Sequence, residues 1–465
     1  MATIAEIAKA EKLEPVPEWE GVGPSPEVAV QPHVFIGRDT RESSPHLNRL
    51  CIQGIEAMGA IAIDIGVVTT PQLHHVVYSH NRGEGSWASV PGYFDKLSEA
   101  WIALIGDTPK EKLAERGPLY IDCANGVGAL HLAPLQEKLA GYLTIEPFNT
   151  GPGVELLNEG CGAEHCQKKR LPPTLPAGKH GMKRIASFDG DADRVVYFYL
   201  ADDSLESFLL VDGDKIAVLA ADFVGEQLKL AGIKDINLGI VQTAYANGGA
   251  HDYVLGQGIE CPYAKTGVKF CHHVALQYDI GIYFEANGHG TAIFKDHVVQ
   301  NFKAALKTAT DATKKQALQK LLATAQLFNQ AVGDSTADAL FVEAVLALRG
   351  KSIADWSAMY TEKPSRQTKV LVKDRLVVRP IPDETRLIDT DGDKSAELQG
   401  KVDALAAAVK GGRAFCRPSG TEDVVRVYAE ADTVEDADKL AGDVAIAIFE
   451  TVDGVGDMPA SPCVG

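Results

Sequence analysis

Along the chain, short apolar runs alternate with amphipathic stretches. "HVFIG" at 33–37 is an apolar run of strand length, and from Pro45 to Ala60 the residues Leu47, Leu50, Ile55 and Met58 return near helical spacing. "IAIDIGVV" predicts a second strand, and Thr70-Pro71 a helix start with proline in its first turn. A Gly/Ser-rich stretch at 83–92 reads as a loop, after which "PLYIDC" opens a second α/β unit running to about 210. A third unit begins with the helix-like "GDKIAVLAADFVGEQLKLAG" and carries the strands "INLGIVQT" and "IGIYFEA". A last one, about 366–455, holds "KVLVKDR", "RAFCRPSGTEDVVRVYAEAD" and a closing amphipathic helix. Alternation of this kind predicts an α/β fold of parallel or mixed sheets covered by helices.

Composition narrows the function. With 45% apolar and 23% charged residues the chain is globular. A net charge of −18 offers no Lys/Arg excess to displace counterions from a nucleic acid, but leaves room for a small anion in one basic pocket. Eight cysteines in 465 residues are too sparse for a disulfide framework. Cys161 and Cys166 flank His165 in "GCGAEHC", without the second ligand pair a zinc site needs. The first residues, "MATIAEIAKAEKLEPVPEWEG", lack the apolar core of a signal peptide. No apolar run approaches the roughly 18 residues that span a bilayer. A reducing, soluble compartment, the cytosol, is expected, with no membrane partner.

Three motifs suggest chemistry. In "SFDGDADRVVYFYL", Asp189, Asp191 and Asp193 alternate with small residues after a strand. Three carboxylates so spaced can converge on one hard cation, and oxygen-only ligands select Mg2+ or a similar ion. An EF-hand would need glycine and glutamate where Arg194 and Leu200 stand. In "FCRPSGTEDVVRVY", Arg417, Ser419, Gly420 and Thr421 combine a guanidinium, two hydroxyls and a glycine turn, and Arg426 adds a second charge, as a phosphate group requires. In "YFEANGHGTAIF", a strand delivers Glu285 and Asn287 into a glycine loop suited to gripping sugar hydroxyls or an amide, while His289 reads equally as a hydrogen bonder or a ligand group. Lys269, near a helix start in "KTGVKFCHH", reads as an anion contact, an acid/base or a solvated lysine. The acidic turn "VDGDK" at 211–215 reads as a helix cap. "YIDCANGVGALHL" lacks the third glycine of a dinucleotide fingerprint, and in "IGRDTRESSP" Arg38 and Arg41 either hold a phosphate or pair with Asp39.

Together these motifs resemble the α-D-phosphohexomutase superfamily and, within it, the phosphoacetylglucosamine mutases. "IGRDTR", "TTPQLHH", "CANGVGAL", "SFDGDADR", "VQTAYANG", "YFEANGHGT" and "RPSGTEDVVRVYAEAD" follow the family's order from about residue 33 to the end, and the "EANGHG" form separates this family from glucose and mannose members. The resemblance implies three mixed-sheet α/β domains, the first truncated, and a C-terminal α+β domain around a central cleft. The expected divisions are 1–95, 96–210 with the Mg2+ loop, 211–345 with the sugar loop, and 366–455 with the phosphate loop. It implies interconversion of N-acetylglucosamine 6-phosphate and 1-phosphate, towards UDP-N-acetylglucosamine, through an active-site phosphoserine and a bisphosphate intermediate. By the same resemblance Asp189, Asp191 and Asp193 hold Mg2+. Arg417, Pro418, Ser419, Gly420, Thr421 and Arg426 hold the phosphate not reacting. Glu285, Ala286 and Asn287 hold the sugar, and Lys269 stands where the family has a candidate proton-transfer lysine.

One piece departs from the pattern. The family's serine lies in a Thr-Ala-Ser-His-Asn-Pro loop upstream of the Gly-Arg-Asp-Thr-Arg motif, which here starts at Gly37 with no such loop before it. Ser79, in "YSHN", follows that motif and lacks the flanking Thr-Ala and Pro, so it does not read as the phosphoserine. The expectation is a mutase chain inactive on its own, with an uncovered edge in its first sheet. Two other readings compete: a sugar-phosphate-binding pseudo-enzyme, and a haloacid-dehalogenase-like phosphatase using "DADRV" at 191–195 and "GDSTAD" at 333–338.

Overall fold

The computed structural model describes residues 31–463, apart from 152–155, 177–182, 203 and 389–392. Its described strands form four sheets. β1 (His33–Arg38) and β2 (Ile61–Val67) pair in parallel, joined by the helix Ser44–Ala57. A helix between them is the crossover connection a parallel pair needs. Leu47 on that helix and Met58 capping its end are exposed, so the spacing marks the helix without marking a buried face.

The second sheet runs in the order β4-β3-β5-β6-β7. β3 (Leu119–Asp122), β4 (Ile145–Phe148) and β5 (Ile185–Phe188) are parallel, and β6 (Val195–Leu200) and β7 (Phe208–Val211) continue it antiparallel. The third sheet is β11-β10-β8-β9, built from β8 (Leu238–Thr243), β9 (Tyr263–Ala264), β10 (Ile280–Phe284) and β11 (Gly290–Phe294). The fourth is antiparallel, β12 (Ser365–Leu371), β14 (Val424–Glu430) and β13 (Arg413–Pro418) in that order, backed by the helix Val434–Thr451. Mixed sheets covered by helices are the fold class expected.

The helix Val90–Ile105 was not legible in the Gly/Ser-rich stretch, although its start is coded there. Ser89 accepts the Gly92 N–H at 3.1 Å and Pro91 fills the first turn. It buries Tyr93, Phe94, Leu97 and Trp101 in one large core shared with the helices Gly213–Ala231, Ala312–Leu327 and Ser335–Arg349. Two hydrogen bonds fasten it there: Tyr93 Oη donates to Asp334 Oδ1 (2.8 Å) and Trp101 Nε1 to the Leu340 carbonyl (2.9 Å). The expected divisions after 95 and 345 therefore fall inside helices, Val90–Ile105 and Ser335–Arg349. Asp212 does cap the helix Gly213–Ala231, accepting the Asp214 N–H at 3.1 Å.

The C-terminal sheet is clamped to the third one around an arginine–glutamate pair. Arg413 Nη1 and Nη2 donate to the carbonyls of Ala244 (2.9 Å) and Ala246 (2.6 Å), and Nε to Glu430 Oε1 (2.8 Å). Glu430 is buried, and its Oε2 accepts Gly248 N–H (3.0 Å) and Tyr428 Oη–H (2.8 Å). Among the described residues, no helix is long and apolar enough to cross a membrane.

Candidate active site

Residues 188–195 turn sharply between β5 and β6. Ala192 holds the turn with φ +61°. Its carbonyl accepts both the N–H (3.1 Å) and the hydroxyl (2.7 Å) of Ser335 at the start of the helix Ser335–Arg349. Folded this way, Asp189, Asp191 and Asp193 each offer a carboxylate oxygen within 4.8 Å of one another. Asp189 is buried; its Oδ1 accepts the amides of Asp193 (3.0 Å) and Arg194 (3.1 Å), and its Oδ2 faces Arg194 Nε at 2.9 Å. Burial first, then the charges of Asp193 and Asp191, hold its carboxyl well above the usual range against the pull of Arg194. An oxygen-only trio in mutual repulsion fits a hard divalent cation.

The N-terminal unit reaches this loop through a helix start. Thr69 caps the helix Thr70–Asn81 in a capping box with Gln72, its hydroxyl accepting the Gln72 N–H at 3.2 Å while Gln72 Oε1 accepts the Thr69 N–H at 3.1 Å. The next residue, Thr70, donates its N–H to the Asp191 carbonyl (3.2 Å) and its hydroxyl to Asp191 Oδ2 (2.7 Å). Beside Asp191 a cavity of about 400 Å3 is lined by Arg38, Asp39, Arg41, Ser44, Asn48 and Thr70. Arg41 Nε pairs with Asp39 at 3.0 Å and Arg38 Nη1 with Asp64 at 3.7 Å, so both arginines line the cavity while ion-paired.

The glycine loop after β10 is joined to the carboxylate loop edge to edge. Arg194 and His289 form an antiparallel bridge, and the Val195 N–H donates to the Gly288 carbonyl at 3.2 Å. Gly288 has φ +86°, and a Cβ there would lie 2.0 Å from the Val195 oxygen, so only glycine permits this approach. His289 Nδ1 lies 3.6 Å from Asp193 Oδ2; burial is the main cause of its lowered pKa. Glu285 Oε1 accepts the Gly267 N–H at 3.0 Å, and Asn287 Oδ1 accepts the His289 N–H at 2.9 Å. Ala286 lies half-buried between them. Lys269 is exposed on the helix Val268–Ala275, its Nζ 5.0 Å from the Phe270 ring.

In the C-terminal unit Arg417 and Arg426 stand directly opposite each other on β13 and β14. Like charges so placed repel, and an anion between them relieves it. Arg417 is gripped along one edge, its Nε 3.1 Å from Tyr245 Oη and 3.7 Å from Glu384 Oε2. Beyond Pro418, Ser419 is buried, and the Thr421 and Glu422 amides reach its oxygen only at 3.4 Å, long enough to leave them receptive to a better acceptor. At Gly420 an added Cβ would meet nothing within 4 Å, so this glycine leaves the turn uncovered and relieves no clash.

Glu384 lay in no motif of the sequence, and Thr70 and Ser335 were given no role in the site, yet they tie the loops together. A continuous path runs from Arg417 through Glu384 Oε2 to the Thr266 N–H (3.2 Å). It continues from the Gly267 N–H to Glu285 and from Glu285 N–H to the His289 carbonyl (3.0 Å), ending where His289 meets Asp193. The phosphate, sugar and metal motifs thus share one polar network.

Other expected chemistry lies elsewhere. Ser79 is fully buried and donates to Glu84 Oε2 at 2.8 Å. Replacing Ser79 by alanine is expected to lower stability by about 1 kcal/mol and to leave sugar-phosphate affinity unchanged; thermal melting with a binding titration checks both. His165 Nε2 faces the Pro172 carbonyl at 3.3 Å, and Cys161 and Cys166 are buried, burial pushing the Cys161 thiol up to about 12. Asp334, the acidic residue the phosphatase reading needs, is a buried cap that accepts Ala337 N–H (3.1 Å) and Tyr93 Oη–H (2.8 Å).

Comparison with known proteins places this chain in a class. Family profiles for phosphoglucomutase/phosphomannomutase, alpha/beta/alpha domain I and the C-terminal domain, match residues 25–86 and 369–447, which is the phosphohexomutase class of isomerases. Between them, residues 212–351 match the profile for phosphoacetylglucosamine mutase AMG1, domain III. Human phosphoacetylglucosamine mutase is 44% identical over 431 residues, 92% of this chain and 77% of the relative, and the Arabidopsis thaliana enzyme is 44% identical over 425 residues, covering 89% and 75%. The crystal structure of Aspergillus fumigatus N-acetylphosphoglucosamine mutase in complex with GlcNAc-6P and magnesium superposes with a TM-score of 0.82 at 38% identity, covering 91% of this chain and 84% of that one. The chain belongs to the phosphoacetylglucosamine mutase family. No comparison supports the phosphatase or pseudo-enzyme readings.

Proposed function

We propose that this protein serves the interconversion of the 6- and 1-phosphates of N-acetylglucosamine in the cytosol, with Mg2+ on Asp189, Asp191 and Asp193, and that turnover needs the phosphoserine loop, which this sequence does not contain. The observation that carries the reading is the network joining Arg417 to Asp193 through Glu384, Thr266, Gly267, Glu285 and His289, which connects the three motifs that one ligand would need. All eight cysteines are free, as a reducing compartment requires.

Each role follows from an atom left over once the protein's own bonds are counted. Arg417 and Arg426 face each other as a pair that takes the phosphate not being transferred, with the Thr421 and Glu422 amides as additional donors. Glu285, pinned through Oε1, presents Oε2 to the sugar hydroxyls, and Asn287, pinned through Oδ1, presents Nδ2 to the acetamido oxygen. Lys269, solvated on the helix that follows Gly267, is the acid/base we assign to the sugar oxygens. When bound, Mg2+ supplies charge stabilisation to the phosphoryl group in transfer. Thr70 holds the Asp191 carboxylate in place for that ion.

Asp191→Ala is expected to weaken Mg2+ binding by at least tenfold, because it removes one of three convergent carboxylates. Calorimetric titration of Mg2+ into the variant and the unmutated chain reads this directly. Unchanged affinity removes the metal assignment.

A further inference from the structure

Glu384 lies in none of the motifs, yet its setting is unusual for a turn residue. It sits at the tip of a hairpin whose sides meet at Pro380 and Leu387. Its N–H donates to the Ile381 carbonyl (2.9 Å), and the Ile381 N–H to the Arg386 carbonyl (2.9 Å). Asp383 Oδ1 fastens the next residue, accepting the Thr385 N–H at 3.0 Å and its hydroxyl at 2.7 Å. Within this turn Glu384 adopts φ +60°, a left-handed conformation that glycine or asparagine would take at less cost. A glutamate held there against its backbone preference, and only 5% exposed, calls for a function of the side chain.

That side chain leaves its own unit. Oε2 accepts the Thr266 N–H at 3.2 Å and lies 3.7 Å from Arg417 Nε. Tyr245 Oη takes the same edge of the guanidinium at 3.1 Å. With Nε occupied by these two groups and Nη1 reaching only the Pro418 carbonyl at 3.5 Å, the two terminal nitrogens remain for a planar, two-point grip on an oxyanion. Thr266 Oγ1 is buried without a partner, so the same corner keeps polar capacity for a ligand. The adjacent amide, Gly267 N–H, holds Glu285.

We propose that Glu384 is a positioning residue for the sugar phosphate. It turns the terminal nitrogens of Arg417 towards the phosphate and ties the C-terminal phosphate loop to the 266–267 amides, so that the phosphate grip and the sugar grip stand at a fixed separation. This rests on the sugar-phosphate reading of the site. Consecutive amides holding one carboxylate from each unit are the device: Thr266 takes Glu384, Gly267 takes Glu285, and the ligand spans the two.

Two variants separate positioning from support of the fold. Glu384→Gly removes the carboxylate while supplying the residue that φ +60° favours, and Glu384→Gln keeps the shape and the acceptor for Thr266 but drops the charge facing Arg417. Calorimetry with N-acetylglucosamine 6-phosphate, NMR titration with unphosphorylated N-acetylglucosamine, and thermal melting are run on the full chain. The glycine variant is expected to melt no lower than the unmutated protein, to bind the sugar phosphate about tenfold more weakly, and to bind the unphosphorylated sugar unchanged. The glutamine variant is expected to fall between. Unaltered sugar-phosphate affinity in Glu384→Gly overturns the proposal, as does an equal loss for both ligands with a lowered melting temperature. An unmutated chain that binds no sugar phosphate removes the underlying reading, and the proposal with it.

Discussion

Gly288→Ala is expected to destabilise the protein by about 3 kcal/mol and to weaken Mg2+ and sugar-phosphate binding together. Two costs add. A non-glycine residue at φ +86° is disfavoured by about 1–2 kcal/mol. Its Cβ would also stand 2.0 Å from the Val195 carbonyl oxygen, and forcing such an overpacked contact apart costs about 1–3 kcal/mol. Val195, the first residue of β6, is fully buried, so the glycine loop is the partner that must move. Movement there carries Glu285 and Asn287 on one side and breaks the His289–Asp193 approach on the other. Chemical denaturation and paired titrations measure these effects. Gly420→Ala serves as the control, with stability unchanged, because its added methyl meets nothing within 4 Å.

Arg413→Ala is expected to cost about 3–5 kcal/mol at neutral pH, since it leaves a buried carboxylate without its cation. It also deletes the two bonds to Ala244 and Ala246 that clamp the C-terminal sheet in place. The pH dependence identifies the cause. Burial alone would raise the Glu430 carboxyl, but the hydrogen bond and charge of Arg413 outweigh it and hold the pKa below its ordinary value. A depressed carboxyl contributes stability above the ordinary glutamate pKa, about 4.3, and loses it as pH falls through the folded value. In the variant, burial is opposed only by the Gly248 and Tyr428 hydrogen bonds, and the carboxyl rises. The gap between unmutated and variant stability is therefore expected to narrow as pH drops from 7 to 4. A gap constant with pH would place the loss in the carbonyl contacts instead.

Much of this was legible from local pattern. "SFDGDADR" predicted convergence because carboxylates spaced by two after a buried strand share a loop, and the turn at Ala192 brings them within 4.8 Å. The apolar runs of "IAIDIGVV", "INLGIVQT" and "IGIYFEA" became β2, β8 and β10. What stayed hidden depends on distant partners. Thr70 announced a helix start, but its hydroxyl meets Asp191 across 121 residues of chain. Nothing in the sequence singled out Glu384, and only the folded chain sets it against Thr266 and Arg417. The helix Val90–Ile105 was masked by small residues that also form good caps, Ser89 and Pro91. Divisions drawn inside helices at 95 and 345 came from the same cause, since the shared core of these helices joins residues far apart in sequence.

The site's central claim is that one ligand spans the phosphate grip of Arg417 and Arg426 and the sugar grip of Glu285 and Asn287. Calorimetric titration of N-acetylglucosamine 6-phosphate and of glucose 6-phosphate, with Mg2+ present, tests it most directly. The acetylated sugar is predicted to bind about tenfold tighter or more, because a polar site built for an amide group rejects the analogue lacking it, and Asn287→Ala is predicted to bring the two affinities together. Equal affinities for the two sugar phosphates in the unmutated chain would contradict it.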